Sequence, residues 1–356
     1  MKIAIQSMLI KLQGKDGLSP RVDTRWLVLA CSLLFGMAAS AATPVETPYG
    51  AVSLPFTLHQ VPGTPVYYIE GLSGVPDSVN EGHTSNAGFV VTEAGVVVFD
   101  ALGTPALGYR LLQRIREVTD KPIKCVVVSH YHADHIYGLQ AFKEHGNAPT
   151  VVAQRGTLGY AGGTADSQGE DAARRLEQRR QALFPWVDEK TFIVAPDEVF
   201  DQEMRFELGG VQFEVRHLGP AHAPGDSIML VRNYGVLFGG DVLYGGRVPF
   251  LDSPETDIGR WLTGLDYIAG LKDQMRYIIP GHGAMSEDAG QVVAATRDYI
   301  LYVREAMGRA VRDFVPFDEA YRNTDWSRYE KLPAFDGSNR GNAYRIYLDE
   351  EARSVK

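Results

Sequence analysis

Cysteine is nearly missing from this chain, with 2 in 356 residues. Cys31 lies in an N-terminal segment that reads as removable, which leaves Cys125, and one thiol cannot close an internal disulfide. Positive charge is also short: 35 Lys and Arg against 44 Asp and Glu give a formal net charge of −9. Residues 1–42 carry five of the basic and two of the acidic side chains, so the rest of the chain stands at −12. That balance argues against nucleic acid or an anionic membrane as the main partner. No apolar run is long enough to cross a bilayer comfortably; the nearest, 26–37, falls well short. Repeats and disorder-type composition are absent as well. Apolar residues at 45% and charged ones at 22% are ordinary for a globular protein with a core.

The N-terminus reads as an address. Lys2, Lys11, Lys15, Arg21 and Arg25 precede the apolar run, and Ala39-Ser40-Ala41 supplies the small residues a signal peptidase requires. The expectation is a signal peptide over 1–41, an exported and periplasmic protein, and no membrane attachment after cleavage. Residues 42–80, rich in Pro and Gly, read as an extended arm.

Further on, 88–91 and 95–99 read as two strands around Thr92-Glu93-Ala94. Leu107, Leu111, Leu112, Ile115 and Val118 follow helical spacing, closed by Pro122. A strand over 123–129, with Cys125 as a small core residue, runs straight into His130. A short helix near 139–145 and a strand over 149–153 follow. Residues 161–190 are polar and charged and read as an insertion, helical over 174–183. From Met204 the pattern turns to β, with strands at 206–208, 211–215, 228–231, 236–238 and 277–279, and helices fit 258–271 and 292–311. The expected domain occupies 81–300, with a helical extension and tail over 301–356.

What the chain does have is patterned histidine. His130-Tyr131-His132-Ala133-Asp134-His135 packs three imidazoles and a carboxylate into six residues. An isolated histidine is usually a packing or surface residue, but this cluster has the donor set of a divalent-metal site. His130 and His132 can chelate one ion, with His222 in Gly219-Pro220-Ala221-His222 as third donor. Asp134 and His135 point elsewhere and, with His282 in Pro280-Gly281-His282-Gly283, suit a second ion. Asp241, after Phe238-Gly239-Gly240, can bridge the two. Each donor follows a strand, where open α/β sheets place their chemistry. Two ions sharing a hydroxide would provide a nucleophile at neutral pH and steady the oxyanion it creates, with Asp134 orienting the nucleophile. His59, His83, His145 and His217 lack such company and stay unassigned.

The HxHxDH motif, followed in order by separate His, Asp and His, resembles that of the metallo-β-lactamase superfamily. The resemblance covers about 83–300. It implies an α/β fold, an αββα metallo-β-lactamase-type sandwich, holding two zinc ions per chain along one edge. It implies His130, His132 and His222 for the first ion, Asp134, His135 and His282 for the second, and Asp241 as the bridge. It also implies that Asp100 supports the first-metal loop through hydrogen bonds. Ile136-Tyr137-Gly138 departs from the Gly-Gly common after the motif. Phe238-Gly239-Gly240-Asp241 resembles the thioesterase and lactonase branches, since true β-lactamases usually carry Cys or Ser at Asp241. Tyr244 stands where some of those hold a lysine for the drug's carboxylate; it reads either as a donor to a substrate carbonyl or as a rim aromatic. With Tyr137 and Tyr244 as rim and no obvious cation anchor at the lactamase position, the expected reaction is hydrolysis of a small ester, thioester or lactone. The competing readings are a β-lactamase, a mononuclear-iron sulfur oxygenase and a non-catalytic binding protein. The tail reads either as a cover bringing Asn342 or Arg345 to substrate, or as surface packing.

Overall fold

The computed structural model describes residues 43–161, 169–251 and 253–354. The signal-peptide expectation for 1–41 lies outside them. Two sheets form the centre. The first has seven strands in sequence order: β1 (Leu58–Gln60), β2 (Val66–Ile69), β3 (Ala87–Val91), β4 (Val96–Phe99), β5 (Ile123–Val127), β6 (Thr150–Gln154) and β7 (Glu198–Phe200). It is antiparallel from β1 to β4 and parallel from β4 to β7. The second runs β12-β11-β10-β9-β8, from β8 (Glu203–Leu208), β9 (Val211–His217), β10 (Ser227–Val231) and β11 (Val236–Phe238) to β12 (Tyr277–Ile279). Only its β11/β12 pair is parallel.

Period-two alternation explains the layering. Val97 and Phe99 point between the sheets, where they meet Phe213, Val215, Met229 and Phe238; the Phe99 and Phe238 rings stack at 5.2 Å. Val96 and Val98 face outward instead, against Leu107, Leu111 and Ile115 of α1 (Pro105–Val118). Helix α1 starts where Thr104 accepts a hydrogen bond from the Leu107 amide and Pro105 takes the first turn. After it come α2 (Ala133–Ile136), α3 (Leu139–His145), α4 (Arg155–Ala161) and α5 (Gly169–Leu183). On the far side, α6 (Ile258–Gly270), α7 (Ala289–Arg312) and α9 (Phe335–Ser354) bury Trp261, Ile300 and Ile346 against Leu230, Leu237 and Ile278. The short α8 (Phe317–Asn323) bridges α7 and α9. The expected αββα sandwich is present.

One part differs from the sequence reading. The stretch 42–80, expected as an arm, contributes β1 and β2 to the first sheet, with Val66 and Ile69 fully buried. Pro and Gly flank these strands and masked a period-two pattern only a few residues long. The tail is a 20-residue helix, α9, packed on α7. Among the described residues, no helix is long and apolar enough to cross a membrane.

Candidate metal centre

The strand ends converge on one edge. After β4 the chain turns at Asp100, whose φ of 61° is left-handed, a conformation Asp tolerates better than most residues. The turn aims its carboxylate across to the next strand. Asp100 accepts hydrogen bonds from the Ser129 amide (2.7 Å), the Ser129 hydroxyl (2.8 Å) and His135 Nδ1 (2.8 Å). It thereby supports the loop entering His130, as expected, and also orients His135. Then β5 ends, His132 opens α2, and Asp134 and His135 sit within that single turn. Gly138 closes the segment because a Cβ there would lie 1.8 Å from the Ala101 carbonyl oxygen. On the second sheet, parallel pairing of β11 with β12 sets Asp241 beside His282. Gly281 is required between them: its Cβ would come within 2.1 Å of Asp241 Oδ1.

The seven candidate donors form three overlapping groups, His130/His132/His222, His130/His135/Asp241 and Asp134/His135/His282, each with ligand atoms within 4.8 Å of one another. His132 Nδ1 faces His222 Nε2 at 2.7 Å. Asp241 lies centrally, Oδ1 3.1 Å from His135 Nε2 and Oδ2 3.2 Å from His282 Nε2 and 3.4 Å from His222 Nε2. Donors about 2 Å from a tetrahedral ion stand roughly 3 to 3.5 Å apart, so the spacing fits.

Protonation fits as well. His222 Nδ1 faces the Phe250 carbonyl (2.8 Å), His282 Nδ1 the Thr84 carbonyl (2.7 Å), and His130 Nδ1 the Ser129 hydroxyl (2.9 Å). A proton held at Nδ1 leaves the Nε2 lone pair free to bind. Burial, reinforced by neighbouring imidazoles, holds His130 and His132 well below the usual histidine range, so both are neutral donors. His135 is pulled the other way: burial opposes its charge, but Asp241, Asp100 and Asp134 outweigh it. Burial likewise opposes the charge on Asp134, yet His135 and His282 bring it down to about 2. Three buried atoms, His130 Nε2, His135 Nε2 and Asp241 Oδ1, make no well-formed hydrogen bond, although the last two face each other at 3.1 Å. Such orphans are costly in a protein interior unless a cation takes them up, so the donor set fits divalent metal.

A cavity of about 410 Å³ opens over these donors. Tyr137 lines it, as expected, but Tyr244 does not face it. Its hydroxyl, 1% exposed with the rest of the side chain, donates to Asp241 Oδ2 at 2.6 Å, and its ring stacks on His282 at 5.4 Å. The expectation of a donor to substrate, or of a rim aromatic, is corrected: Tyr244 holds the Asp241 carboxylate. The lactamase position carries Tyr244 and no cation, but Arg174, Arg175, Arg179 and Arg247 line the cavity from other positions. Three of them sit in the insertion, whose arginine-rich run was the available signal. Tyr131 and Tyr160 stack at 4.2 Å, and Arg175 lies 4.7 Å over the Tyr131 ring. Asn342 and Arg345 do not reach the cavity. Asn342 is buried against Pro249 and Leu251, and Arg345 donates to the Pro254 carbonyl.

A family model described as the metallo-β-lactamase superfamily matches residues 81–284. The chain belongs to the metallo-β-lactamase superfamily. Its relatives in that superfamily are metal-dependent hydrolases. It is similar to a linear primary-alkylsulfatase of Pseudomonas sp., 26% identical over 251 residues, covering 63% of this chain and 47% of that protein. It is also similar to the hydroxyacylglutathione hydrolase GloC of Haemophilus influenzae, 29% identical over 178 residues, 49% of this chain and 75% of that one. Among solved structures, an inverting sec-alkylsulfatase from Pseudomonas sp. superposes with a TM-score of 0.63 at 18% identity, covering 83% of this chain and 50% of that one. A metallo-β-lactamase from Pontibacter korlensis gives 0.53 at 19%, covering 69% and 99%. At those identities the structures speak to fold alone. The chain spans about half the length of the alkylsulfatases it matches.

Proposed function

We propose that this superfamily member is an exported hydrolase with two zinc ions, cleaving a small ester, thioester or lactone. The observation that supports it best is the set of seven donors on one edge, with Asp241 between the two histidine groups. Divalent ions held there would supply Lewis acidity and a lowered pKa for water at the site. The chain's own residues do the positioning. His130, His132 and His222 present neutral nitrogens to one side of Asp241, and Asp134, His135 and His282 close the other. Asp134 is the candidate proton acceptor, since its carboxylate lines the cavity and Thr84 steadies Oδ2 at 3.2 Å. Tyr244 keeps its proton on Asp241 and so fixes the carboxylate between the groups. The partner is a small molecule, with neither nucleic acid nor membrane assigned a role. The segment 1–41 supports export to the periplasm.

A second reading, hydrolysis of a sulfate ester, has one observation in its favour: arginines line the cavity where neutral carbonyl substrates need none. The alkylsulfatase likeness agrees with it. Metal analysis of protein purified without added metal, paired with ester, thioester, lactone, alkyl sulfate and β-lactam substrates, tests both. Two zinc ions per chain and turnover of an ester, thioester or lactone above the rest are expected. One iron with oxygen consumption would replace the hydrolase with an oxygenase, and β-lactam turnover above all others would reverse the ranking.

A further inference from the structure

Arg247 is 7% exposed, lines the cavity, and among the described residues has no carboxylate within ion-pair distance. Its Nε is buried without a partner. Its Nη1 lies 2.7 Å from His282 Nδ1, but that nitrogen needs its own proton to donate to the Thr84 carbonyl at 2.7 Å. Two donors therefore face each other, and the guanidinium still lacks an acceptor. A guanidinium stays charged in a protein, and burying it uncompensated is strongly unfavourable. Several exposed arginines outside the cavity are paired, as with Arg155 to Asp201 and Arg340 to Asp318, each at 2.7 Å.

Two more guanidinium groups enter from α5. Arg175 is held by donation to the Tyr131 hydroxyl (2.9 Å) and by lying over the Tyr131 and Tyr160 rings. Neither bond neutralises it. Arg179 is half-buried on the same cavity and, among the described residues, makes no ion pair. In a chain of formal charge −9, three such cations around one opening form a local field opposite to that of the whole protein.

We propose that Arg175, Arg179 and Arg247 form an oxyanion subsite beside the candidate metal centre, and that the substrate carries a charged oxyanion, sulfate or carboxylate. Planar guanidinium forks match the paired oxygens of either group. The word substrate rests on the hydrolase reading; the binding of the anion does not.

Calorimetric titration of the zinc-loaded full chain with inorganic sulfate, and separately with butyrate, tests the subsite. Arg247→Gln should raise the Kd of the bound anion about tenfold, and Arg179→Ala severalfold, with metal content unchanged. Arg179 sits on a solvent-facing helix, so its variant remains informative if Arg247→Gln does not fold. The same Kd in Arg179→Ala as in wild type, or no saturable binding of either anion, overturns the subsite. Turnover then separates the sources, using an alkyl sulfate, a carboxylate-bearing ester and its neutral counterpart. The cleaved anionic substrate should show a raised KM in Arg179→Ala, while the neutral one does not. A neutral ester cleaved best, with KM indifferent to all three arginines, overturns the substrate half. Anion binding that depends on Arg179, with no substrate cleaved, leaves the subsite standing and counts against the hydrolase reading.

Discussion

Asn342 and His222 are tied together through one loop. The Asn342 side chain accepts from the Leu251 amide and donates to the Pro249 carbonyl, each at 2.7 Å. Between them stands Phe250, whose carbonyl oxygen faces His222 Nδ1 at 2.8 Å. A residue of the last helix thus sets the acceptor that fixes the tautomer of a candidate metal donor.

Asn342→Ala should therefore do two things. Stranding a buried amide and a buried carbonyl should cost about 2 kcal/mol or more, read by urea unfolding. A loosened Phe250 carbonyl should also weaken metal at the His130/His132/His222 group by roughly tenfold, read by competition with a chelator. Lost stability with unchanged metal affinity would cut the link to His222.

Asp241 and Tyr244 form the next test. Asp241→Asn should lower affinity at the Asp134/His135/His282 group more than at the other, because both histidines of that group lie within 3.2 Å of its carboxylate. Tyr244→Phe removes the hydroxyl bonded to Asp241 Oδ2 without exposing a new surface. Turnover should fall with KM nearly unchanged, since the ring does not line the cavity. A rise in KM alone would return Tyr244 to the substrate.

Metal removal should destabilise the fold. With His130 Nε2, His135 Nε2 and Asp241 Oδ1 buried and without a well-formed hydrogen bond, a bound ion stabilises the folded chain by mass action. Exhaustive chelation should lower Tm by several degrees, and zinc should restore it. His132→Ala should lose most metal at its own group and nearly all hydrolysis. An identical Tm with and without metal would mean that the orphaned atoms are met some other way.

His83 offers a pH test away from the centre. It is 1% exposed, neither ring nitrogen has a partner, and it packs on Phe56 at 5.1 Å. Burial pushes it down to about 4. The unfolded chain takes up a proton first, at a pKa of about 6.5, so this contribution is intact above that pH and is lost as pH falls toward 4. The loss amounts to at most about 3 kcal/mol. Urea unfolding at pH 7.5 and pH 5 should show a smaller drop for His83→Phe than for wild type; equal drops would remove His83 as a source.

The donors were legible without a fold because metal binding is local chemistry. Three imidazoles and a carboxylate within 130–135 cannot be scattered by any packing; Asp241 and His282 each follow a short apolar run that reads as a buried strand, and His222 follows the alternating strand 211–217. A strand covered on both faces was legible in the uninterrupted apolar run Val96 to Phe99, whereas the αββα sandwich was implied by the family resemblance. Tyr244 was not legible. Its hydroxyl turns inward because Asp241, three residues earlier, offers an acceptor and His282, from the turn after β12, a ring to stack on. The arginines were visible as letters, but whether a guanidinium is paired depends on which carboxylates the fold brings near it. Asn342 lies 120 residues from His222 in the chain. Composition and period place an element on a face; only the packing of one element on another decides which polar groups meet, because those contacts join residues with no local pattern in common.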